Sequence, residues 1–477
     1  MQGWIDSSEH QKLSSLFAAS HLIRQRPPST QRSAPSNYAE LSRGTWVNAH
    51  VRAELRGNNF DVVRRRNLSI LLGRVHALGG ISRAQMTRET GLNRSTIADL
   101  VAELVQLGLV VETGPDQTSM VGRPSSVVVP SENIVAVTVN PEADAVTIGL
   151  VGLGGRVIRQ VRYDTGRVLS AREAVNISAA VIAGMRGELD SQYRTVGIGI
   201  AAPALVRAGD GVVSLAPHLN WHDEPLAEMM REATGYSVYV GNDASLGAIA
   251  ESVRGAGVDG QELIYLNGGA SGIGGGVITG GSLMTGTSGY AGEIGHTLVN
   301  SNGVECHCGA VGCLETEVRQ QPLLEALGLD PSQSDHLDEL LKERYASGDV
   351  KVVEVVDRQV SFFARALANV VNIFNPEIIV LGGFLGSLLE VAPDALAAQL
   401  RRSALKEPER SVRFVTATFG DEILTLGAAE FVFSHLIADP AATMKSARDV
   451  DASVDVSTVA VSTVDSASIA GVDPQSA

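Results

Sequence analysis

At 477 residues the chain is long enough for two or three domains, and its 44% hydrophobic content is ordinary for a globular protein. No run approaches the roughly 18 to 20 uninterrupted apolar residues that cross a bilayer, so the sequence predicts neither a membrane helix nor a signal peptide. The net charge is −15, but residues 1–130 hold 15 Lys plus Arg against 10 Asp plus Glu and are therefore positive. Either this N-terminal part approaches DNA, or it is a basic tail that keeps the protein in solution.

The residue pattern divides the chain into four segments. Residues 1–60 show no sustained helical or strand period, which predicts a flexible N-terminal extension. Residues 61–130 begin with helical periodicity, and in residues 131–437 β-rich runs alternate with helical ones, which predicts an α/β domain. Residues 438–477 are a low-complexity mixture of Ala, Ser, Val, Asp and Thr, which predicts a disordered tail.

Residues 61–110 predict three helices. The first is amphipathic and ends near Gly79. The second begins at Ser82, which has capping-box spacing, and stops at Gly91. Asn93 is suited to cap the third helix, which carries a single apolar stripe. Three helices with a tight glycine turn between the second and the third predict a helix-turn-helix.

The first turn of the third helix is the part of such a motif that enters the major groove of DNA. The strand-like residues 109–112 and 126–129 flank a polar turn, which predicts a wing. Arg123 lies between Gly122 and Pro124, where the chain can form either an arm that enters a narrow minor groove or a plain linker turn. The candidate DNA-binding residues are Arg83, Asn93, Arg94, Ser95, Thr96 and Arg123. The alternative is a small helical bundle that binds protein.

A cysteine-rich loop follows further along the chain. Cys306, Cys308 and Cys313 are the chain's three cysteines, and His296 lies ten positions upstream of the first. Their spacing suits a metal site in a reducing compartment better than disulfides, so we expect a cytoplasmic protein. Three thiolates and one imidazole make a closed tetrahedral zinc set, which is structural because it leaves no position for a reactive water. His307 is a rival for the fourth place.

These motifs resemble the ROK family, which comprises repressors, open reading frames and sugar kinases. The matching residues are Gly272 to Val277, Gly286, Gly292 to His296, the cysteine loop and Gly312 to Glu315, then Gly197 to Ile200, Pro203, Ala216-Pro217, Trp221, Asn242 to Ala244, Asn375-Pro376 and Leu381 to Gly383. The resemblance covers residues 61–437 and includes the family's repressor branch. It implies an N-terminal winged helix-turn-helix, residues 61–130, followed by an actin-like (ribonuclease H-like), two-lobed sugar-kinase fold of the α/β class, with a zinc loop at 296–313.

The resemblance also implies a sugar site. Its contacts correspond to Asn242, Asp243, Glu293, His296 and Glu315. Carboxylates and an amide suit a sugar, since each buried hydroxyl needs both a donor and an acceptor. His296 would serve twice, with one ring nitrogen on zinc and the other facing the sugar. Taken alone, Asp243 can equally be the N-cap of a helix that begins near Ser245, and Glu293 can be a solvated loop acid.

One turn bears on the choice between a kinase and a repressor. Kinase members of the family carry an Asp-x-Gly-Gly-Thr turn after their first strand, whereas this chain has Thr138 at the Asp position, followed by Pro141 and Glu142. Pro141 has no N–H to offer a phosphate and Glu142 repels it, so we expect no enzyme. Asp243 would act as catalytic base only in a kinase.

The sequence therefore predicts a sugar-responsive repressor, as a homodimer or a dimer of dimers, that binds operator DNA and releases it when a sugar or sugar phosphate enters the cleft. Two alternatives stay open. One is an active ATP-dependent sugar kinase with a DNA-binding head, and the other is a partner-regulated repressor with a vestigial sugar site. No membrane partner is expected.

Overall fold

The structure is a computed structural model that describes residues 59–114, 126–258 and 260–445. The flexible extension expected over residues 1–60 lies almost entirely outside these ranges, as do Arg123 and the part of the expected tail from residue 446 onward. Within the described ranges, no helix has both the length and the apolar character that crossing a membrane requires.

The N-terminal part of the described chain, residues 59–114 and 126–130, is called the head below. Its elements are α1 (Asn59–Leu78), β1 (Ile81–Ser82), α2 (Arg83–Thr90), α3 (Arg94–Gln106), β2 (Val110–Thr113) and β3 (Val127–Pro130). The strands pair antiparallel in the order β1-β3-β2. The helix ends predicted from local chemistry are confirmed: Ser82 accepts a hydrogen bond from the Gln85 N–H, Asn93 accepts one from Thr96, and α2 ends at Gly91.

The remainder, residues 131–445, is called the body and holds two lobes. The first lobe contains β4 (Ile134–Pro141), β5 (Ala145–Gly152), β6 (Val157–Asp164), α4 (Ala171–Gln192), β7 (Arg194–Ala202), β8 (Leu205–Val206), β9 (Val213–Ala216), β10 (Trp221–Glu224), α5 (Leu226–Thr234), β11 (Val238–Asn242) and α6 (Asp243–Arg254). In the second lobe are β12 (Leu263–Gly269), β13 (Gly272–Thr279), β14 (Ser282–Leu283), α7 (Leu314–Glu317), α8 (Gln320–Leu327), α9 (Leu337–Ala346), α10 (Val350–Phe374), β15 (Ile378–Gly383), α11 (Phe384–Val391), α12 (Pro393–Ser403), α13 (Lys406–Ser411) and β16 (Arg413–Thr416). Helix α14 (Ile423–Ala438) follows and packs back on the first lobe.

The two lobes have sheets with the same topology. The first sheet has the order β11-β7-β4-β5-β6 and the second has the order β14-β13-β12-β15-β16. In each, the first strand of the lobe is central, its two successors add antiparallel on one side, and two parallel strands add on the other. The described residues thus form the two-lobed α/β architecture that the resemblance implied.

Helix α14 joins the first lobe to the head. A Cβ atom placed on Gly427 would lie 2.3 Å from the Leu246 carbonyl oxygen, so α14 and α6 meet backbone to backbone. One continuous apolar core contains Leu72 and Leu104 of the head together with Leu436 of α14. The head is therefore packed on the body through a shared core, and is not an independent unit on a linker.

The expected disordered tail requires a correction at its start. Residues 440–445 form a helical turn after α14, and the Met444 side chain is 1% exposed in the core shared with the head. The Arg194 guanidinium donates to the Met444 carbonyl at 2.9 Å. Low sequence complexity suggested disorder from residue 438, but one buried methionine gives this segment a packing partner.

Candidate functional site

The carboxyl end of β11 places the first two candidate site residues. Asn242 caps α6, because its Oδ1 accepts from the Ser245 N–H at 2.9 Å. The reading of Asp243 as the N-cap is therefore wrong: Asp243 is the first residue of α6, and its Oδ1 accepts from the Ala244 N–H and from Asn242 Nδ2. Asn242 Nδ2 also donates to the Ala204 carbonyl at 3.2 Å, so its amide holds Asp243 in place from the neighbouring loop.

Three carboxyl groups converge next to this helix start. Burial and the nearby Glu293 raise the pKa of Asp243 to about 6. Burial and the nearby Glu315 raise the pKa of Glu293. Glu293 directly precedes a 3-10 helix at Ile294–His296, and Glu315 lies in α7. The effects of Glu293 on Asp243 and of Glu315 on Glu293 indicate that the three acids lie near one another, and the raised pKa values of Asp243 and Glu293 favour protonation or a ligand that donates hydrogen bonds.

Glu315 connects the acids to the cysteine loop. Its Oε1 lies 3.4 Å from His296 Nδ1 and 3.2 Å from His307 Nδ1. The Cys306 thiol donates to the same oxygen at 3.1 Å. Glu315 is 9% exposed and is therefore held between the loop and the site. A change in the loop consequently reaches the carboxyl group that raises the pKa of Glu293.

The loop brings its cysteines together through its own backbone. The Cys306 N–H donates to the Ala310 carbonyl at 2.7 Å. Gly312 has φ 77°, and a Cβ atom there would lie 1.7 Å from the Asn300 carbonyl oxygen. A side chain at position 312 would therefore force apart the two backbone segments on which the loop closes.

The side chains in this loop form a set that can hold a metal ion. The ligand atoms of His296, Cys306, Cys308 and Cys313 all lie within 4.8 Å of one another. The Cys308–Cys313 Sγ distance is 3.7 Å and the distance from Cys306 Sγ to His296 Nδ1 is 3.6 Å. Metal–sulfur bonds of about 2.3 Å in a tetrahedron place sulfur atoms about 3.8 Å apart, so the spacing fits tetrahedral coordination. A second, overlapping set consists of His296, Cys306, His307 and Glu315.

A histidine that the sequence reasoning missed lies beside this loop. His218, in a 3-10 helix at Pro217–Leu219, has its ring centroid 5.8 Å from that of His307. The His307 centroid in turn lies 5.2 Å from that of His296. The signal was present, because His218 lies inside the Ala216-to-Trp221 match. The structure therefore adds a third imidazole to the edge of the site.

In the turn between β4 and β5, hydrogen bonds and an ion pair hold the Glu142 carboxylate. Glu142 bonds to the Thr147 hydroxyl at 2.8 Å and to the Asn140 amide at 3.3 Å, and it pairs with Arg162. Asp144 and Asp164 also pair with Arg162, at 3.3 Å and 3.0 Å. These acidic partners raise the pKa of the Arg162 guanidinium, with the Glu142 hydrogen bond as the largest cause. The arginine is thus already surrounded by carboxylates of its own lobe.

The candidate DNA-binding residues lie on the head. Arg94 and Ser95 are exposed on the first turn of α3, Thr96 is half-buried, and Asn93 caps that helix. Arg83, at the start of α2, pairs with Glu112 of β2. Arg123 lies outside the described residues. The structure therefore brings four of the six residues together at one end of α3.

Comparison with known proteins finds relatives of this chain in both sequence and structure. The model of the "ROK family" matches residues 143–434. A "Putative xylose repressor" from Caldicellulosiruptor sp. is 28% identical over 80% of this chain and 99% of its own length. A "Glucokinase" from Thermotoga maritima is 32% identical over 61% of this chain and 90% of its own. A crystal structure of a "ROK family transcriptional regulator, homolog of E.coli MLC protein" aligns with TM-score 0.65 and 25% identity over 80% of this chain and 99% of that one. Since the family model spans most of the chain, this protein belongs to the ROK family.

Proposed function

We propose that this protein is a sugar-responsive transcriptional repressor. The observation that carries the proposal is that a single chain holds both a head with an exposed first turn of α3 and a body in which Asp243, Glu293 and Glu315 lie near one another. A relative named as a putative xylose repressor aligns over nearly its whole length, which supports the same combination here.

The head is proposed to be a winged helix-turn-helix. Its element order, with β2 and β3 after the third helix, supports this reading. Arg94, Ser95 and Thr96 would meet base edges and phosphates in the major groove, and Arg83 and Asn93 would contact the backbone nearby. Two subunits would place two such helices on half-sites one helical turn, or a multiple, apart.

The body is proposed to bind a sugar or sugar phosphate. Asp243, Glu293 and Glu315 would accept hydrogen bonds from its hydroxyls, Asn242 would hold Asp243, and His296 would lie at the edge of the site. His296, Cys306, Cys308 and Cys313 would hold zinc, which would supply structural support by fixing the loop that carries Glu315. This set is preferred over the one with His307, because it contains all three thiolates and leaves Glu315 for the sugar.

A sugar can regulate operator binding only if it binds two arrangements of the lobes with different affinity. A sugar that favours one arrangement of the lobes changes the placement of the heads, and operator affinity falls. Moving the balance between two arrangements from 1:99 to 99:1 requires a difference of about 5.5 kcal/mol in sugar binding between them. Carbohydrates that bind both arrangements equally have no effect.

The test uses the full-length protein. Bound sequences are first selected from a random double-stranded DNA library, and the recovered site is then footprinted with D-xylose, D-glucose, N-acetyl-D-glucosamine and D-glucose 6-phosphate. We expect a palindromic site whose protection is lost with at least one of these compounds. Failure to recover a common sequence, or protection that responds to none of them, would count against the proposal.

The competing function is sugar phosphorylation, which the retained Asp243 and the glucokinase relative favour. We propose that phosphotransfer is absent, because the β4–β5 turn presents Glu142 and Pro141 where a phosphate would need backbone N–H groups. A coupled assay for ADP release with the same four compounds tests this. Turnover that disappears in Asp243→Asn would establish the kinase instead.

A further inference from the structure

A buried polar cluster ties the head to the body. His76 of α1, Arg254 of α6 and Glu430 of α14, together called the His76 cluster, have side chains that are 2%, 13% and 3% exposed. His76 Nε2 lies 2.7 Å from Glu430 Oε2, and Arg254 Nε donates to Glu430 Oε1 at 2.5 Å. Arg254 Nη2 also donates to the His76 carbonyl at 3.0 Å. Neither the DNA-reading turn nor the sugar site uses these residues.

Both ring nitrogens of His76 have polar partners. The Gly154 N–H donates to Nδ1 at 3.0 Å, and Nε2 lies 2.7 Å from Glu430 Oε2 and 2.9 Å from Arg254 Nη2. Burial raises the pKa of Glu430, but His76 and the Arg254 guanidinium outweigh burial and hold that pKa at about 2. The carboxylate is thus charged at neutral pH and fully partnered. Separating it from Arg254 would leave an unpaired charge in the core.

Helix α6 connects this cluster to the sugar site. Asp243 is its first residue and Arg254 its last, about 17 Å apart at 1.5 Å per residue. The residues between, Ala244–Ser252, are buried, and Gly427 allows α14 to contact the α6 backbone directly. A ligand that shifted Asp243 along the α6 axis would shift Arg254 with it, because both residues belong to one helix.

We propose that the His76 cluster couples the sugar cleft to the DNA-binding head, with α6 as the connecting element. The inference rests on the proposed function and names its route of regulation. A sugar that draws Asp243 toward the second lobe shifts α6, withdraws Arg254 from Glu430 and from the His76 carbonyl, and releases α1. The head then takes a different position, and the operator is lost.

The test separates the link to α6 from the rest of the cluster. The double variant Arg254→Met with Glu430→Gln removes both charges, so no buried charge is left unpaired, while the amide oxygen introduced at position 430 can still accept from His76. His76→Leu breaks the link from the head side instead. The matched control is Asp439→Asn, which removes the Arg65–Asp439 ion pair, another head-to-body contact at 3.3 Å that does not involve α6.

Operator affinity of each full-length protein is measured without ligand and with each of the four compounds of the footprinting panel. Each compound is added at about 10 mM, so that weak sites are also saturated. In the wild type and in Asp439→Asn we expect the effective compound to lower operator affinity about tenfold or more, within the usual range of allosteric coupling. In the double variant and in His76→Leu we expect less than about a threefold change. Calorimetry without DNA should still detect sugar binding in both, which distinguishes lost coupling from lost binding.

Each outcome decides one proposal. If none of the compounds changes operator binding by the wild type, the proposed function is overturned and the route of regulation falls with it. A wild-type response that persists undiminished in the double variant and in His76→Leu overturns the role of the cluster alone. If Asp439→Asn loses the response as fully as they do, the effect belongs to head docking in general and the specific role of α6 is rejected.

Discussion

At the scale of single residues, the cleft is defined by a charge conflict. Burial, with the nearby Glu293, raises the pKa of Asp243 to about 6, and burial, with the nearby Glu315, raises the pKa of Glu293. A ligand with several hydroxyl donors relieves this conflict, because each carboxylate gains a hydrogen bond in place of a neighbouring charge. The free protein therefore keeps these acids in surroundings that disfavour their charged forms.

Asp243→Asn should stabilise the sugar-free protein above pH 7 while abolishing the thermal shift by sugar. Because the folded pKa lies above the ordinary value of 3.8, the ionised side chain penalises folding fully above pH 6, and the penalty fades as the pH falls from 6 toward 4. The expected gain is on the order of 1 kcal/mol at pH 7.5 and close to zero at pH 4.

Thermal melts of Asp243→Asn and of the wild type at roughly pH 7.5, 5 and 4, which lie on both sides of the raised pKa, measure this pH-dependent gain. Glu232→Gln, at an exposed position of α5, is the matched control and should show no such pH dependence. Equal destabilisation of Asp243→Asn at every pH would show that the carboxylate is needed for the fold itself.

At the scale of elements, the sequence was sufficient to predict the helix ends that are set by a capping residue next to the helix. Ser82, Gly91 and Asn93 were identified from the sequence and act as predicted. For α6 the sequence left Asp243 open as the N-cap of a helix beginning near Ser245, whereas the helix begins at Asp243 and the cap is Asn242, whose Oδ1 accepts from the Ser245 N–H and whose Nδ2 also donates to the Ala204 carbonyl. Neighbouring residues of the same type cannot be ranked without their tertiary partners.

The cap of α3 allows stability and DNA binding to be separated. Asn93→Ala should cost about 1 kcal/mol of stability, because the Thr96 N–H loses its acceptor. Asn93→Asp keeps the acceptor and should retain stability, but it adds a negative charge at the proposed DNA surface. We expect operator affinity to fall in Asn93→Asp more steeply at low salt than at high salt. Chemical denaturation and mobility-shift titrations measure the two effects, and normal operator binding by Asn93→Asp would remove this turn from the interface.

The cysteine loop gives a prediction about metal removal. Cys308→Ser should lower zinc from about one ion per chain to a small fraction, raise amide exchange over residues 296–315, and abolish the sugar-induced thermal shift because Glu315 loses its support. Elemental analysis and hydrogen exchange measure these changes.

Two histidine variants identify the fourth ligand. His296→Asn should lose zinc, whereas His307→Asn should keep it, since His307 belongs only to the set that omits two thiolates. Full zinc content in His296→Asn together with loss in His307→Asn would reverse the assignment.

At the scale of the whole molecule, the decisive contacts join residues far apart in sequence. The residue pattern predicted an α/β domain and the family resemblance implied two lobes, and the topology of the body agrees with both. No sequence pattern pairs His76 with Glu430, which are 354 positions apart, because a single buried histidine in a helix is more often an ordinary core residue. The same limit applies to Met444, whose packing depends on a core built from both ends of the chain.

The C-terminal turn should be part of the stable fold. A chain that ends after Ala438 loses Met444 and one of the acceptors of Arg194, and we expect it to be less stable by about 2 kcal/mol or more. A chain that ends after Lys445 keeps both and is the matched control. Urea unfolding of the two truncated proteins measures the difference. Identical midpoints would show that the buried methionine contributes nothing.

The repeated strand order also places two hairpins in equivalent positions, the one between β4 and β5 and the one between β12 and β13. The second reads Gly-Ala-Ser-Gly at residues 269–272, whereas the first is filled by Glu142 and its donors. The second hairpin also lies against a carboxylate, because a Cβ atom placed on Gly272 would be 2.5 Å from Glu315 Oε2. Each lobe thus closes the same hairpin beside an acidic side chain, Glu142 in the first lobe and Glu315 in the second.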